Sequence, residues 1–376
     1  MPGLNSVYMK KIPPAYLLPL VVGGLLAGLL GGWLRLGYGG FSAPLPAAHH
    51  GVLMVGGFLG TLISLERSVV MKNPAWLLLP LLSGLSIPLF LGGWQKMGAI
   101  FLLIASLGLL VLLYKQSLRT SDVPTYLIAF GGACWMLGNF TYLYTDFVVL
   151  STGWWMAFLF FTILGERLEL SRYLSVPIRM YRLLYLLLAA HCIGLLLPFH
   201  LWGRVVLGAS ALGVGIWLLR YDMARHGVKK PGQFRYIGFG LLVGYAWLVL
   251  HGLVLLFLDN HPFHYDLYLH TFFLGFVFSM IWSHAPIIFP AVFGIKVDVF
   301  HPLLWWVWGV FQLSLVARIA SSWAGWPSWR FFFGALNGFS IIAVFLSMAL
   351  VVGFRWRVIH LKSSGMQTGS QRSGLE

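Results

Sequence analysis

The sequence predicts an all-α polytopic membrane protein of about twelve transmembrane helices, and three observations predict it. First, 59% of the 376 residues are hydrophobic and 9% are charged, with a mean hydropathy of +0.84. A soluble domain carries about 25% charged residues, so this chain has too little polar surface to face water. Second, almost the whole chain divides into apolar runs long enough to cross a bilayer. Third, the cations alternate with those runs.

A spanning helix needs about 20 apolar residues. Cut at charge, proline and glycine clusters, the chain gives twelve runs: 15–34, 48–65, 75–92, 97–114, 123–144, 147–165, 181–198, 202–220, 235–257, 265–289, 302–320 and 331–353. Residues 1–14 precede a single membrane domain over 15–354. The Ser-, Gly- and Gln-containing stretch 355–376 has no apolar periodicity and reads as a disordered tail.

Cytoplasmic loops carry an excess of Lys and Arg. With the N-terminus inside, all of the 25 cations except Arg35, Lys96, Arg204, Arg318 and Arg330 fall on one side. That alternation requires an even number of spans and places both termini in the cytoplasm. The net charge of +15 therefore belongs to loops rather than to one basic face, which argues against nucleic acid as a partner. Lys10 and Lys11 also fit a cleavable leader ending near 43–48, although the first run has the length of a span. Cys134 and Cys192 fall inside the fifth and seventh runs and read as core residues.

Three segments align without gaps: Gly57–Arg67 in the second run, Ala157–Arg167 in the sixth and Gly275–Ala285 in the tenth. The first two share a terminal Glu-Arg pair. A repeat every four spans suggests three four-helix units around a pseudo-threefold axis, and chance similarity between apolar helices is the competing explanation.

Ionisable side chains within spans mark functional sites by default. At 1.5 Å of rise per residue, His50, His251 and His270 lie at similar heights in the outer half of runs two, nine and ten. His284 lies near the inner end of run ten, 14 residues or nearly four turns from His270, and so shares its face. Met54, Gly57, Thr61 and Ser64 continue the stripe from His50, while Gly240, Gly244 and Trp247 precede His251 on its face. Small residues in such stripes let helices approach closely. For His191, a hydrogen bond to a neighbouring helix is the simpler role. His49, His261, His264 and His301 read as solvated interface or loop residues, and His226 as part of a basic loop.

Neutral imidazole is a common ligand of haem iron, copper and zinc. Imidazoles at one level could hold a haem or metal ion, with Trp154, Trp155, Trp247, Phe272 and Phe273 against a macrocycle. Those aromatics also fit an interfacial belt. The candidate cofactor ligands are His50, His270 and His251, with His284 added as a candidate metal ligand.

The stretch His49-His50-Gly51-Val52-Leu53-Met54-Val55-Gly56-Gly57-Phe58 resembles the opening of the histidine-bearing second span of the NnrS family. Leu269-His270-Thr271-Phe272-Phe273-Leu274-Gly275-Phe276 resembles that family's later histidine span. NnrS proteins are twelve-span membrane proteins that carry haem and copper and are linked to nitric oxide. More distantly, the pattern is similar to haem-copper oxidase catalytic subunits, whose low-spin haem ligands on spans two and ten map onto His50 and His270.

The resemblance implies a b-type haem, electron transfer or diatomic gas binding near the outer face, a redox partner, and a bacterial inner membrane. Copper is less well supported, because the sixth run carries Trp154 and Trp155 and no histidine. An oxygen-reducing copper centre is therefore not implied.

A secondary transporter of a proton, metal ion or small solute is the alternative. Twelve spans, internal repeats and Pro286 and Pro290 after His284 suit that class, although the ten acids fall at span ends and loops. No nucleophile with an adjacent base, phosphate-binding loop or Glu-x-x-His pair is present, so no catalytic residue is assigned. The Glu66-Arg67 and Glu166-Arg167 pairs read as interfacial charges.

Overall fold

A computed structural model describes residues 14–39, 44–295 and 297–372. Lys10, Lys11, Lys296 and the first residue of the possible leader junction, Ala43, lie outside the described residues. Among the described residues there is no strand, and twelve long helices follow one another. They are α1 (Ala15–Leu36), α2 (His50–Val69), α3 (Pro74–Leu91), α4 (Gln95–Thr120), α5 (Val123–Thr145) and α6 (Val148–Ser171). The second half comprises α7 (Ile178–Leu196), α8 (Phe199–Tyr221), α9 (Gln233–Phe257), α10 (His264–Phe293), α11 (Leu303–Trp323) and α12 (Pro327–Arg372).

Eleven of these, all but α5, are both long and apolar enough to cross a membrane. The all-α polytopic fold expected from composition is thus observed. Helix α5 has 23 residues, so length is sufficient. Its hydropathy is reduced by polar residues that work internally: Asn139 donates to Leu102 O at 3.2 Å and accepts from Trp155 Nε1 at 3.0 Å.

The links on either side of α5 are two residues long, which obliges the helices to turn back. Ser121 and Asp146 adopt left-handed backbone there, with φ of 51° and 54°. Asp122 caps α5 by accepting from Thr125 N at 3.1 Å and Thr125 Oγ1 at 2.6 Å, the role short acidic side chains play at helix starts. At the other end of the chain, α12 continues without a break to Arg372. Residues 355–372, read from composition as a disordered tail, prolong that helix.

The chain divides into two compact units. Unit 1 comprises residues 1–119 and 132–155, and unit 2 comprises residues 120–131 and 156–376.

In unit 1, α1 and α3 pack on α2. The second helix is not a regular α-helix: Leu53–Gly60 is π-helical. A π stretch widens the turn and leaves backbone groups to be satisfied from outside. Here Ser83 of α3 donates to Gly56 O at 2.9 Å, and Thr61 donates to Gly57 O at 2.6 Å. A Cβ on Gly24 of α1 would stand 2.7 Å from Gly57 O, so only glycine lets α1 close on this stretch.

In unit 2, α8 packs along α9 and α7, α9 along α10, and α11 along α12. The expected close approach at Gly240 and Gly244 is present: a Cβ on either would collide with Ser283 or Met280 of α10. Helix α10 has its own π-helical stretch, Thr271–Val277. It starts 218 residues after the stretch in α2 (271 − 53), the same offset that aligns Gly275 with Gly57 (275 − 57). The repeat between α2 and α10 is therefore present in backbone geometry as well as in sequence. The aligned part of α6 lies in the regular helix Val148–Ser171.

Candidate functional site

The histidines of unit 1 open α2. Gly28 O of α1 lies 2.7 Å from His50 Nδ1, and a carbonyl only accepts, so Nδ1 carries the proton. His49 was expected to be solvated, yet it is 5% exposed. Its ring centroid is 5.1 Å from that of Phe90, and its Nδ1 is 3.4 Å from Tyr142 Oη. Burial lowers the His49 pKa, and Asp146 partly offsets this. Adjacent residues on a helix point about 100° apart, so sequence alone could not decide which of the two faces the core.

Unit 2 gathers more imidazoles. His251 of α9 is 3% exposed. Its Nδ1 lies 3.0 Å from Tyr268 O of α10, so Nδ1 donates and Nε2 keeps its lone pair. Among the described residues Nε2 has no hydrogen-bond partner. Phe272 and Tyr268 pack against the ring at centroid distances of 5.3 and 6.0 Å.

His191 of α7 behaves similarly. Its Nδ1 is 2.7 Å from Ser210 Oγ, while that hydroxyl donates to Leu207 O at 2.9 Å. With its one proton spent, Ser210 accepts from Nδ1 and the lone pair again falls on Nε2. The bond joins α7 to α8, the helix-linking role expected for His191. Phe160 stacks on the ring at 4.2 Å, and Phe161 meets it edge-on at 5.8 Å.

His264, expected to be solvated, has both ring nitrogens buried without a hydrogen-bond partner. It stacks on Tyr268 at 5.8 Å. His251 lies within electrostatic reach of both His191 and His264.

A metal-binding histidine almost always donates its other ring N–H to a carbonyl or carboxylate, which fixes ring and tautomer. His251 meets that requirement and offers Nε2 in an apolar, aromatic setting. His284 also has Nδ1 on a carbonyl, Met280 O at 2.8 Å, and lies within electrostatic reach of Arg167 and Glu166. The regular-helix count that placed His270 and His284 on one face does not hold, because the π stretch lies between them.

His270 differs from the expected ligand. Its Nδ1 is 2.8 Å from Asp266 O and 3.0 Å from Asp266 Oδ1, and its Nε2 receives an N–H of Arg318 at 3.1 Å. Guanidinium only donates, so the Nε2 lone pair is turned towards Arg318. His50 belongs to unit 1 and His270 to unit 2, so neither unit assembles that pair by itself. Among the described residues, no group of three or more His, Cys, Asp or Glu side chains could hold a metal ion.

Asp266 was not singled out by sequence. Its side chain, 16% exposed, accepts from Arg318 at 3.2 Å and Ser322 at 3.0 Å, with Arg330 Nε 3.8 Å away. Two signals could have found it: the Asp266-x3-His270 spacing, and the departure of Arg318 and Arg330 from the charge alternation. Arg204, another departure, is likewise held, by Asp259 at 2.9 Å and by the Leu255 carbonyl.

At the far end of unit 2, Asp222 is 1% exposed and Arg167 6%. Asp222 accepts from Ala224 N at 2.8 Å. Burial raises its pKa, and the nearby Arg167 partly counteracts this. Glu166-Arg167 is thus not simply a solvated interfacial pair, since its arginine is buried.

The family model described as "Domain of unknown function (DUF8744)" matches residues 15–353. No curated protein and no solved structure matches the chain.

Proposed function

The chain belongs to the DUF8744 family, a domain of unknown function, and we propose that it is a haem-binding integral membrane protein acting in electron transfer or diatomic gas binding. The single observation that carries this reading is His251. Its Nδ1 is tied to Tyr268 O at 3.0 Å, leaving Nε2 as a lone-pair donor in a buried aromatic setting. Porphyrin supplies four ligands to iron by itself, so a haem needs only one or two protein imidazoles. Unit 2 offers them in that number.

His251 would be the first residue to hold the haem iron and His191 the second. Phe272, Phe160 and Tyr268 supply the apolar packing that a macrocycle requires. A bound haem would supply one-electron and gas-binding chemistry, while the protein would orient the imidazole and exclude water. The backbone bond on Nδ1 raises the ligand's basicity and holds its ring angle. The resemblance to NnrS in α2 and α10 supports nitric oxide as the gas and a b-type haem. It also supports an inner-membrane location and a redox partner, with copper as a less supported second metal. His50 remains a candidate ligand within unit 1.

Transport is the second reading, and Asp222 favours it, because a carboxylate buried beside Arg167 is what proton- and ion-coupled carriers use. Haem content of the detergent-purified protein, followed by carbon monoxide or nitric oxide difference spectra, separates the two. One haem per chain with a gas-induced shift supports the first reading. A protein that takes up no haem, but drives pH-dependent solute flux in proteoliposomes, replaces it with the second.

A further inference from the structure

We propose that Arg318 and Arg330 of unit 2 form a seat for the phosphate of a phospholipid headgroup. The charge count comes first. Two guanidinium groups share one carboxylate, Asp266, and His270 Nε2 faces an N–H of Arg318 at 3.1 Å. Two cations against one carboxylate leave this end of α10, α11 and α12 net positive.

The hydrogen bonds locate that charge on Arg330. Its nearest carboxylate oxygen is 3.8 Å from Nε, beyond a hydrogen bond, and Nε has no other partner. Its guanidinium donates to no described residue and lies over the Phe263 ring, 4.8 Å from the centroid. Nε is buried while the side chain as a whole is 22% exposed, so a ligand reaches the fork from its outer edge. Arg318 is 6% exposed, and its Nε is also buried without a partner. A planar fork with unspent donors matches the geometry of a phosphate or carboxylate oxyanion.

Depth favours a lipid source over free phosphate. The end of α11, the turn after it and the start of α12 carry Trp323, Trp326 and Trp329, exposed by 62%, 59% and 55%. Tryptophans of that kind settle at headgroup level, and Arg330 is one residue beyond the last of them. The seat is built from residues other than the proposed haem ligands His251 and His191, so the two readings can fail independently.

Thermal unfolding of the detergent-solubilised full chain tests the proposal, with dioctanoyl phosphatidylglycerol, dioctanoylglycerol and inorganic phosphate as probes at equal concentration. The phospholipid is expected to raise Tm, the other two are not, and Arg330→Gln is expected to lose the shift. If Arg330→Gln does not fold, Arg330→Lys is expected to bind the phospholipid with a weaker half-saturation. An equal shift from dioctanoylglycerol, or a shift kept in the variant, overturns the seat. A full shift from inorganic phosphate alone overturns the lipid assignment.

Discussion

Arg318 donates to His270 Nε2 across 3.1 Å while also meeting Asp266 Oδ1 at 3.2 Å. One of the two histidines that carry the family resemblance is thus tied into an ionic network, with its Nε2 facing Arg318. His251, one helix away, has its lone pair open.

Removing the carboxylate from that network should be costly. Asp266→Asn leaves Arg318 and Arg330 beside one another with no counter-charge. Breaking a buried pair from one side costs about 3–5 kcal/mol, whereas Ser322→Ala removes one hydrogen bond worth about 1 kcal/mol. Chemical unfolding in detergent micelles should rank the two in that order. Equal effects would mean that the network is held by packing rather than by charge.

The contact between α1 and the π stretch of α2 gives a paired prediction. Gly24→Ala puts a methyl 2.7 Å from Gly57 O, against backbone that cannot step aside, whereas a Cβ on Gly23 meets nothing within 4 Å. The first substitution should lower the unfolding midpoint markedly. The second should leave it unchanged or raise it by up to about 1 kcal/mol equivalent, since alanine replaces glycine within a helix.

His49 makes unit 1 sensitive to acid. Its folded pKa lies below the ordinary 6.5 because the ring is buried, so below pH 6.5 the unfolded chain binds a proton that the folded chain refuses. Stability falls as pH drops from 6.5 towards the folded pKa. His49→Gln should flatten that part of the stability profile, and a variant with the wild-type slope would assign the acid sensitivity elsewhere.

Asp122 has the opposite sign. Its hydrogen bond from Thr125 holds its pKa below the ordinary 3.8, so its contribution is full above 3.8 and is lost as pH falls through the lower folded value. Asp122→Ala should cost about 1 kcal/mol near neutrality, as for other helix caps. The difference from wild type should vanish in strong acid.

Twelve long helices were legible because span length and charge alternation are one-dimensional signals. Eleven satisfy the membrane criterion, and α5 falls short for a visible reason, its internal Asn139 bonds. The candidate site was less legible. The π stretches shift every later side chain around α2 and α10, so a count at 3.6 residues per turn from His270 to His284 misplaces the face. Burial of His49, His264 and Asp266 depends on which neighbours close over them, and composition does not carry that information. The repeat was half legible: α2 and α10 share a π stretch at the matching offset, while the matching part of α6 is regular helix.

Whether His251 ligates iron is read from reduced-minus-oxidised absorption spectra. They should be recorded on haem-supplemented, detergent-purified wild type, His251→Ala, His191→Ala, His50→Ala and His270→Ala. Wild type is expected to show a Soret band that is lost in His251→Ala, weakened or shifted in His191→Ala and retained in His270→Ala. A band that survives His251→Ala intact but disappears in both His50→Ala and His270→Ala would contradict ligation by His251.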